Sequence, residues 1–193
     1  MTGPRTQRRR DPEARKEALA TAALEVIAEA GIGRTTHRAV AARADLPLGA
    51  TTYYFPTLDD LIAAGLRRAT EAVRADLRVW AERLATAPDL PAALARMSAA
   101  YLADRRRAQI EYELYVAAAR DPVLRPLARE WLRGLRDVLE PHVGAAAARD
   151  VCALLDGAML QALVTGGDLD EKALAEAIRR LTRGGAGCGG GTG

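Results

Sequence analysis

Apolar side chains recur every three to four positions along almost the whole chain, and Gly and Pro interrupt that period at intervals suited to helix ends. No window alternates β-branched with polar residues as a sheet requires. Asp11 followed by Pro12 supplies a cap and a first residue; Leu19, Ala23, Val26, Ile27 and Ala30 share one face of the helix that follows, and Gly31 stops it. Two short helices come next. Thr36 caps the first, which turns Val40, Ala41 and Ala44 to one side, and Ala44-Asp45-Leu46 forms a turn in which Asp45 tolerates a left-handed conformation. Pro47 fits the first position of the second, over 48–54, because its missing N–H would be unpaired there in any case.

Pro56-Thr57 ends that helix, and Thr57 with Asp60 makes a capping box for a long one over 57–86. Leu58, Leu61, Ile62, Leu66, Val73, Leu77, Trp80 and Leu84 lie on one side of it, and thirty residues at 1.5 Å each give a length of about 45 Å. Further helices are predicted over 91–103, 106–119, 123–139 (closed by Pro141), 144–164 and 168–181. The fold class that follows is all-α with about nine helices: an N-terminal three-helix head with a helix-turn-helix over 11–56, then a larger helical domain over 57–183. A basic arm over 1–10 and a glycine-rich tail over 184–193 lack periodicity and are expected to be disordered.

Charge sharpens this picture. The net charge is +3, and its excess is local: residues 1–55 hold nine Arg or Lys against six Asp or Glu, whereas 56–193 hold nineteen of each. A basic head on a neutral body is the electrostatic footprint of a polyanion binder. The second short helix carries no carboxylate, which would face phosphate in a major groove, but does carry Gly49, two hydroxyls and two adjacent phenols. Arg5, Arg8, Arg9 and Arg10 give the arm the means to reach phosphates or the minor groove; a solvated tail is the alternative.

The segment TTHRAVAARADLPLGATTYYFPTLDDLI resembles the DNA-binding part of the TetR family of bacterial transcriptional regulators, over roughly residues 14–66. The resemblance rests on the combination of Thr35, Thr36 and Arg38, the Val40-Ala41 pair, Gly49, the triplet Tyr53-Tyr54-Phe55 and the Asp59-Asp60-Leu61 helix start. It implies that Thr36, His37 and Arg38 approach DNA from the first short helix, that Leu48, Gly49 and Ala50 meet base edges, and that Thr52, Tyr53 and Tyr54 bond phosphates. The chain departs from the family pattern at Asp45 (usually Gly), Pro47 (usually Ser), Thr52 (usually Tyr) and Leu58 (usually Lys). The Pro47 and Leu58 exchanges would remove phosphate contacts.

The family also implies a long helix linking head to body, a small-molecule effector, and a four-helix dimer interface built from the last two helices. Candidate effector residues are Trp80, Met97, Tyr101, Glu111, Tyr112, Tyr115, Trp131 and Met159, bulky amphipathic side chains of the kind that line a small-molecule pocket, although at helical spacing such residues are more often plain core. Glu111 and Glu113 flank Tyr112, and a glutamate pointing inward beside the tyrosines would favour a cationic aromatic ligand. The 144–164 helix is apolar nearly all round. That requires cover on two sides, and Val151, Leu154, Leu155, Ala158, Leu174 and Ile178 are the expected homodimer contacts.

An enzyme fares badly on inventory. His37 and His142 lie far apart in sequence, no nucleophile elbow, phosphate loop or zinc spacing is present, and the pairs Asp150/Asp156 and Asp168/Asp170 suit helix surfaces and caps. Cys152 and Cys188 form no metal or disulfide framework, so neither cofactor nor metal is expected. With no secretory signal and no membrane span, the chain should be cytoplasmic. The function expected is that of a homodimeric, ligand-released repressor on a palindromic double-stranded DNA operator, with an activator or an effector-independent DNA binder as alternatives.

Overall fold

The computed structural model describes residues 11–183; the arm over 1–10, the tail over 184–193 and Cys188 lie outside the described residues. Nine α-helices and a short 3-10 turn make up the described chain, with no strand among these residues. They fall into two compact units, one of residues 11–72 with 113–127 and the other of 73–112 with 128–183. The units are discontinuous in sequence because three helices run from one into the other, so neither coincides with a single cut at residue 57.

In the first unit, helix α1 (Pro12–Ala30) is capped by the Asp11 carboxylate, which accepts from the Glu13 and Ala14 amides at 3.0 and 3.2 Å. Gly31 ends it at φ +80°, and the 3-10 turn Ile32–Arg34 follows, an element absent from the sequence pattern. Helices α2 (His37–Ala44) and α3 (Leu48–Tyr54) come next, then the beginning of α4 (Leu58–Ala85). Their core is Leu19, Ala23, Val26, Val40, Phe55 and Leu61. Small residues bring α4 close to α1: a Cβ on Gly65 would sit 2.9 Å from the Leu24 backbone nitrogen and 3.1 Å from the Ala23 Cβ, so glycine is required there.

The second unit contains the rest of α4, α5 (Leu90–Ala103), the first half of α6 (Arg105–Arg120), most of α7 (Arg125–Val143), α8 (Ala145–Thr165) and α9 (Glu171–Arg183). Leu94, Leu139, Leu155 and Ile178 are fully buried at its centre. Arg179 of α9 reaches the cap of α5 through Asp89 at 2.8 Å, and Arg105 donates to the Ala162 and Gly166 carbonyls near the C-terminus of α8, partnering acceptors that a helix end leaves open.

Two boundaries differ from expectation. Pro141 lies inside α7, which continues to Val143, and Pro47 is the N-cap rather than the first residue of α3. Pro costs least near a helix terminus, where few ladder bonds remain to be lost.

Of the expected dimer contacts, Val151, Leu155, Leu174 and Ile178 are buried inside the second unit, and Leu154 and Ala158 are half-buried against the same core. On another side of α8, Ala153, Leu160 and Val164 are exposed, Leu160 by 44% and Val164 by 79%, with open space at Gly157.

Candidate nucleic-acid interface and ligand cluster

Local hydrogen bonds set the cap and the turn of the helix-turn-helix. The Thr36 hydroxyl accepts from the Ala39 amide at 3.1 Å, and α2 ends on Asp45 in the left-handed region, φ 52° and ψ 45°, with the Leu46 amide returning to the Ala41 carbonyl at 3.0 Å. Asp45 is the only non-glycine residue with positive φ among the described residues. Thr51, fully buried, donates its hydroxyl to the Leu48 carbonyl at 2.7 Å, which anchors α3 by a short polar side chain. Thr57 accepts from the Asp60 amide at 3.1 Å and donates to its carboxylate at 2.6 Å, so Thr57 caps α4, with the Asp60 carboxylate on the Thr57 hydroxyl and not on its backbone N–H as a capping box has it.

This packing divides the predicted DNA residues by role. Thr36, Arg38, Gly49 and Thr52 are exposed, Leu48 is 44% and Tyr53 79% exposed, and a Cβ added to Gly49 would meet nothing within 4 Å. Tyr54 packs on the head core with its ring 5.0 Å from that of Tyr53, edge to face. Ala50 and His37 are half-buried, and the His37 Nδ1 is shut off from solvent. Thr52 spends its hydroxyl on the Gly49 carbonyl at 3.3 Å. Neither α2 nor α3 carries an acid. Arg43 is held against α1 by Glu25 and Glu29, whereas Arg38 takes part in none of the ion pairs seen among the described residues. Of the two arginines of α2, Arg43 is therefore engaged within the head and Arg38 is exposed.

A second group of candidate residues comes together in the other unit. The Tyr101 hydroxyl donates to Glu111 Oε2 at 3.0 Å, the Trp80 ring meets the Tyr101 ring edge to face at 6.3 Å, and the Arg107 guanidinium lies over the Tyr101 ring, 5.0 Å from its centroid. Tyr112 donates to the Asp156 backbone carbonyl at 2.9 Å, tying α6 to α8. Met97 and Met159 are buried in the core on which Trp80, Tyr101 and Tyr112 pack, and Trp131 is buried as well. Tyr115 and Glu113 belong to the first unit, where Glu113 accepts from the Ile32 amide. Of the two glutamates flanking Tyr112, Glu111 alone joins the aromatic cluster.

Sequence reasoning left Asp156 on a helix surface, whereas the structure half-buries it. Burial raises its carboxyl to about 6, with the Glu111 charge adding to the effect, and it takes part in none of the ion pairs among the described residues. Burial also pushes the Tyr101 and Tyr112 phenols up and the Cys152 thiol up to about 11. The usable signal was a carboxylate on the helix face that otherwise carries Cys152, Leu155 and Met159. Glu111 and Asp156 thus lie near one another beside Tyr101 and Tyr112, with the Arg107 guanidinium on the Tyr101 ring. No group of three or more potential metal ligands occurs among the described residues, and no described helix is long and apolar enough to cross a membrane.

Comparison with known proteins agrees with both halves of the chain. Residues 19–64 match the family model described as bacterial regulatory proteins, tetR family, and residues 85–184 match the tetracyclin repressor-like C-terminal domain. The HTH-type transcriptional regulator BetI of Burkholderia mallei is 34% identical over 177 residues, covering 83% of this chain and 88% of that protein. Among solved structures, the multidrug binding protein EbrR complexed with imidazole is 43% identical with a TM-score of 0.77, covering 86% of this chain and 94% of its own. EbrR also has structures with proflavin, ethidium and malachite green. A TetR family member from Streptomyces coelicolor A3 is likewise 43% identical at a TM-score of 0.77, over 86% and 97% of the two chains.

Proposed function

Since the chain belongs to the TetR family of bacterial transcriptional regulators, a non-enzymatic class, we propose that it is a homodimeric repressor released from a palindromic operator by a cationic aromatic effector. Each head places α3 in a major groove. Leu48, Gly49 and Ala50 come against base edges, Arg38 and Thr36 approach from α2, and Tyr53 bonds phosphate. An apolar α3 can read thymine methyls but carries no hydrogen-bond code, so sequence choice leans on Arg38 and on DNA shape. The second copy covers the stripe Ala153, Gly157, Leu160 and Val164, whose two small residues let paired helices approach closely.

The observation that carries the effector reading is the placement of Glu111, with Asp156 nearby, among Trp80, Tyr101 and Tyr112. Proflavin at neutral pH, ethidium and malachite green are planar aromatic cations, and the similarity to EbrR supports a ligand of that class here. An effector that prefers the DNA-incompetent state by about 3 kcal/mol lowers operator affinity roughly a hundredfold.

The test is selection of bound duplexes from a random DNA pool, with binding of the enriched site repeated at several salt concentrations. A palindrome whose half-sites lie one or two helical turns apart is expected; salt-sensitive binding without a motif would leave only generic polyanion affinity. Ethidium fluorescence, measured without DNA, should report binding that Glu111→Gln weakens. Deleting the gene should raise transcription of the target, and a fall would reverse the regulatory sign.

A further inference from the structure

Ile32, Gly31 and Glu113 meet 81 residues apart in sequence, at the junction between α1 and the helix-turn-helix. Glu113 Oε2 accepts from the Ile32 amide at 3.1 Å. That amide opens the 3-10 turn, where the backbone donor has no partner within its own element. Gly31 is at φ +80°, and a Cβ there would lie 2.9 Å from Glu113 Oε1, so the carboxylate occupies the space a side chain would take. From this point the connection to the DNA-reading helix is short and fully tied: the Arg34 amide reaches the Gly31 carbonyl at 3.3 Å, the Thr35 hydroxyl reaches the same carbonyl at 3.0 Å, and Thr36 caps α2. Fixing Ile32 therefore fixes where α2 begins.

The carboxylate that makes this contact is covalently adjacent to the ligand cluster. Glu111 accepts from Tyr101, Tyr112 donates to the Asp156 carbonyl and Glu113 accepts from Ile32, three consecutive residues of α6. Successive helical residues point about 100° apart, so Glu111 and Glu113 leave α6 on nearly opposite sides. A rotation or shift of this one turn cannot move Glu111 without moving Glu113. Beside the contact lies a cavity of about 300 Å³ lined in part by Ile32, Asp59, Ile62, Val116 and Leu124, which gives the carboxylate room to leave.

We infer that Glu113 is a positioning residue for DNA reading: its carboxylate latches the Gly31-Ile32 connection in the DNA-competent arrangement, and a ligand that displaces the Glu111–Glu113 turn releases it. The second half of that statement rests on the effector reading above, and the first does not. Gln retains a carbonyl acceptor at the same reach, Asp keeps the charge but is one methylene too short, and Ala removes the acceptor altogether.

The experiment compares Glu113→Ala, Glu113→Asp and Glu113→Gln in the full chain. It measures affinity for the selected operator, the thermal midpoint, and amide exchange at Ile32. Glu113→Ala and Glu113→Asp should each lose at least tenfold in operator affinity and exchange Ile32 faster, while Glu113→Gln stays within about threefold of wild type. Rescue by Gln separates positioning from a merely structural loss, since all three variants should keep cooperative unfolding. Should Glu113→Ala fail to fold, the Asp and Gln pair decides the matter. Operator affinity within twofold of wild type in the Asp or Ala variant, despite faster Ile32 exchange, would overturn the latch. Without DNA, ethidium should accelerate Ile32 exchange in wild type. Bound ethidium that leaves Ile32 unchanged overturns the coupling, and ethidium that does not bind overturns the effector reading while the operator comparison still decides the latch.

Discussion

Asp45 shows how much a single backbone torsion can matter to a short motif. A left-handed residue other than glycine is strained by about 1 kcal/mol, less for Asp than for most because its short side chain tolerates the region. Asp45→Gly should raise stability by about 0.5 kcal/mol in chemical denaturation, with part of the gain cancelled by the freer unfolded chain. No change, or a loss, would show that the Asp45 carboxylate supports the turn. Asp156 makes a prediction of opposite character. Its carboxyl is raised to about 6, above its unfolded value, so the stability tied to its proton is present below about pH 4 and lost as pH rises through about 6. Asp156→Asn should then be more stable than wild type at pH 7 by about 1–2 kcal/mol, after discounting for partial exposure, with the advantage shrinking toward pH 4. A constant difference across that range would mean that the carboxylate is not penalised by burial.

Among the elements, α3 is the least stable by composition and the most exposed by position. Seven residues cannot hold a helix alone; Thr51, buried with its hydroxyl on the Leu48 carbonyl, and Phe55, buried in the head core, hold it from below. Gly49 on its outer side touches nothing. Its Cβ-free surface therefore serves no internal packing and leaves room for the close approach to a groove proposed above. Gly49→Ala should raise the thermal midpoint, since alanine gains up to about 1 kcal/mol over glycine in a helix, yet weaken operator binding tenfold or more. Improvement in both quantities would place Gly49 outside the DNA contact. Of the helices, α4, α6 and α7 each place residues in both units.

For the whole molecule, the decisive question is which apolar surface a second copy covers. The core absorbs Val151, Leu155, Leu174 and Ile178, leaving Leu160 and Val164 outward on α8 with Gly157 between turns. Leu160→Glu with Val164→Glu should turn a dimer into a monomer in sedimentation experiments while leaving helical content intact, because neither side chain supports the core. A dimer that survives both changes would move the interface elsewhere, with Leu132 and Leu181 among the other exposed apolar residues. Operator affinity should fall when dimerisation is lost, since two half-sites bound by one dimer gain from effective concentration that separate monomers lack.

Local chemistry made much of this protein legible before any coordinates. The caps at Asp11, Thr36 and Thr57, the left-handed Asp45, and the helix ends at Gly31 and Gly166 depend on neighbours within a few residues, so the order of elements followed from the chain itself. The acid-free α3 and the basic excess in the first 55 residues were equally plain. Long-range placement was not. Two glutamates one residue apart look equivalent in a row of letters, yet Glu111 meets Tyr101 while Glu113 meets Ile32, because a helix turns them to opposite sides. An apolar face does not state whether its own chain or another covers it, and only the packed structure separated Leu155 in the core from Leu160 outside. The sequence determined the helices, because periodicity and capping are local; tertiary packing decided which faces were left over, because burial is a property of everything that surrounds a side chain.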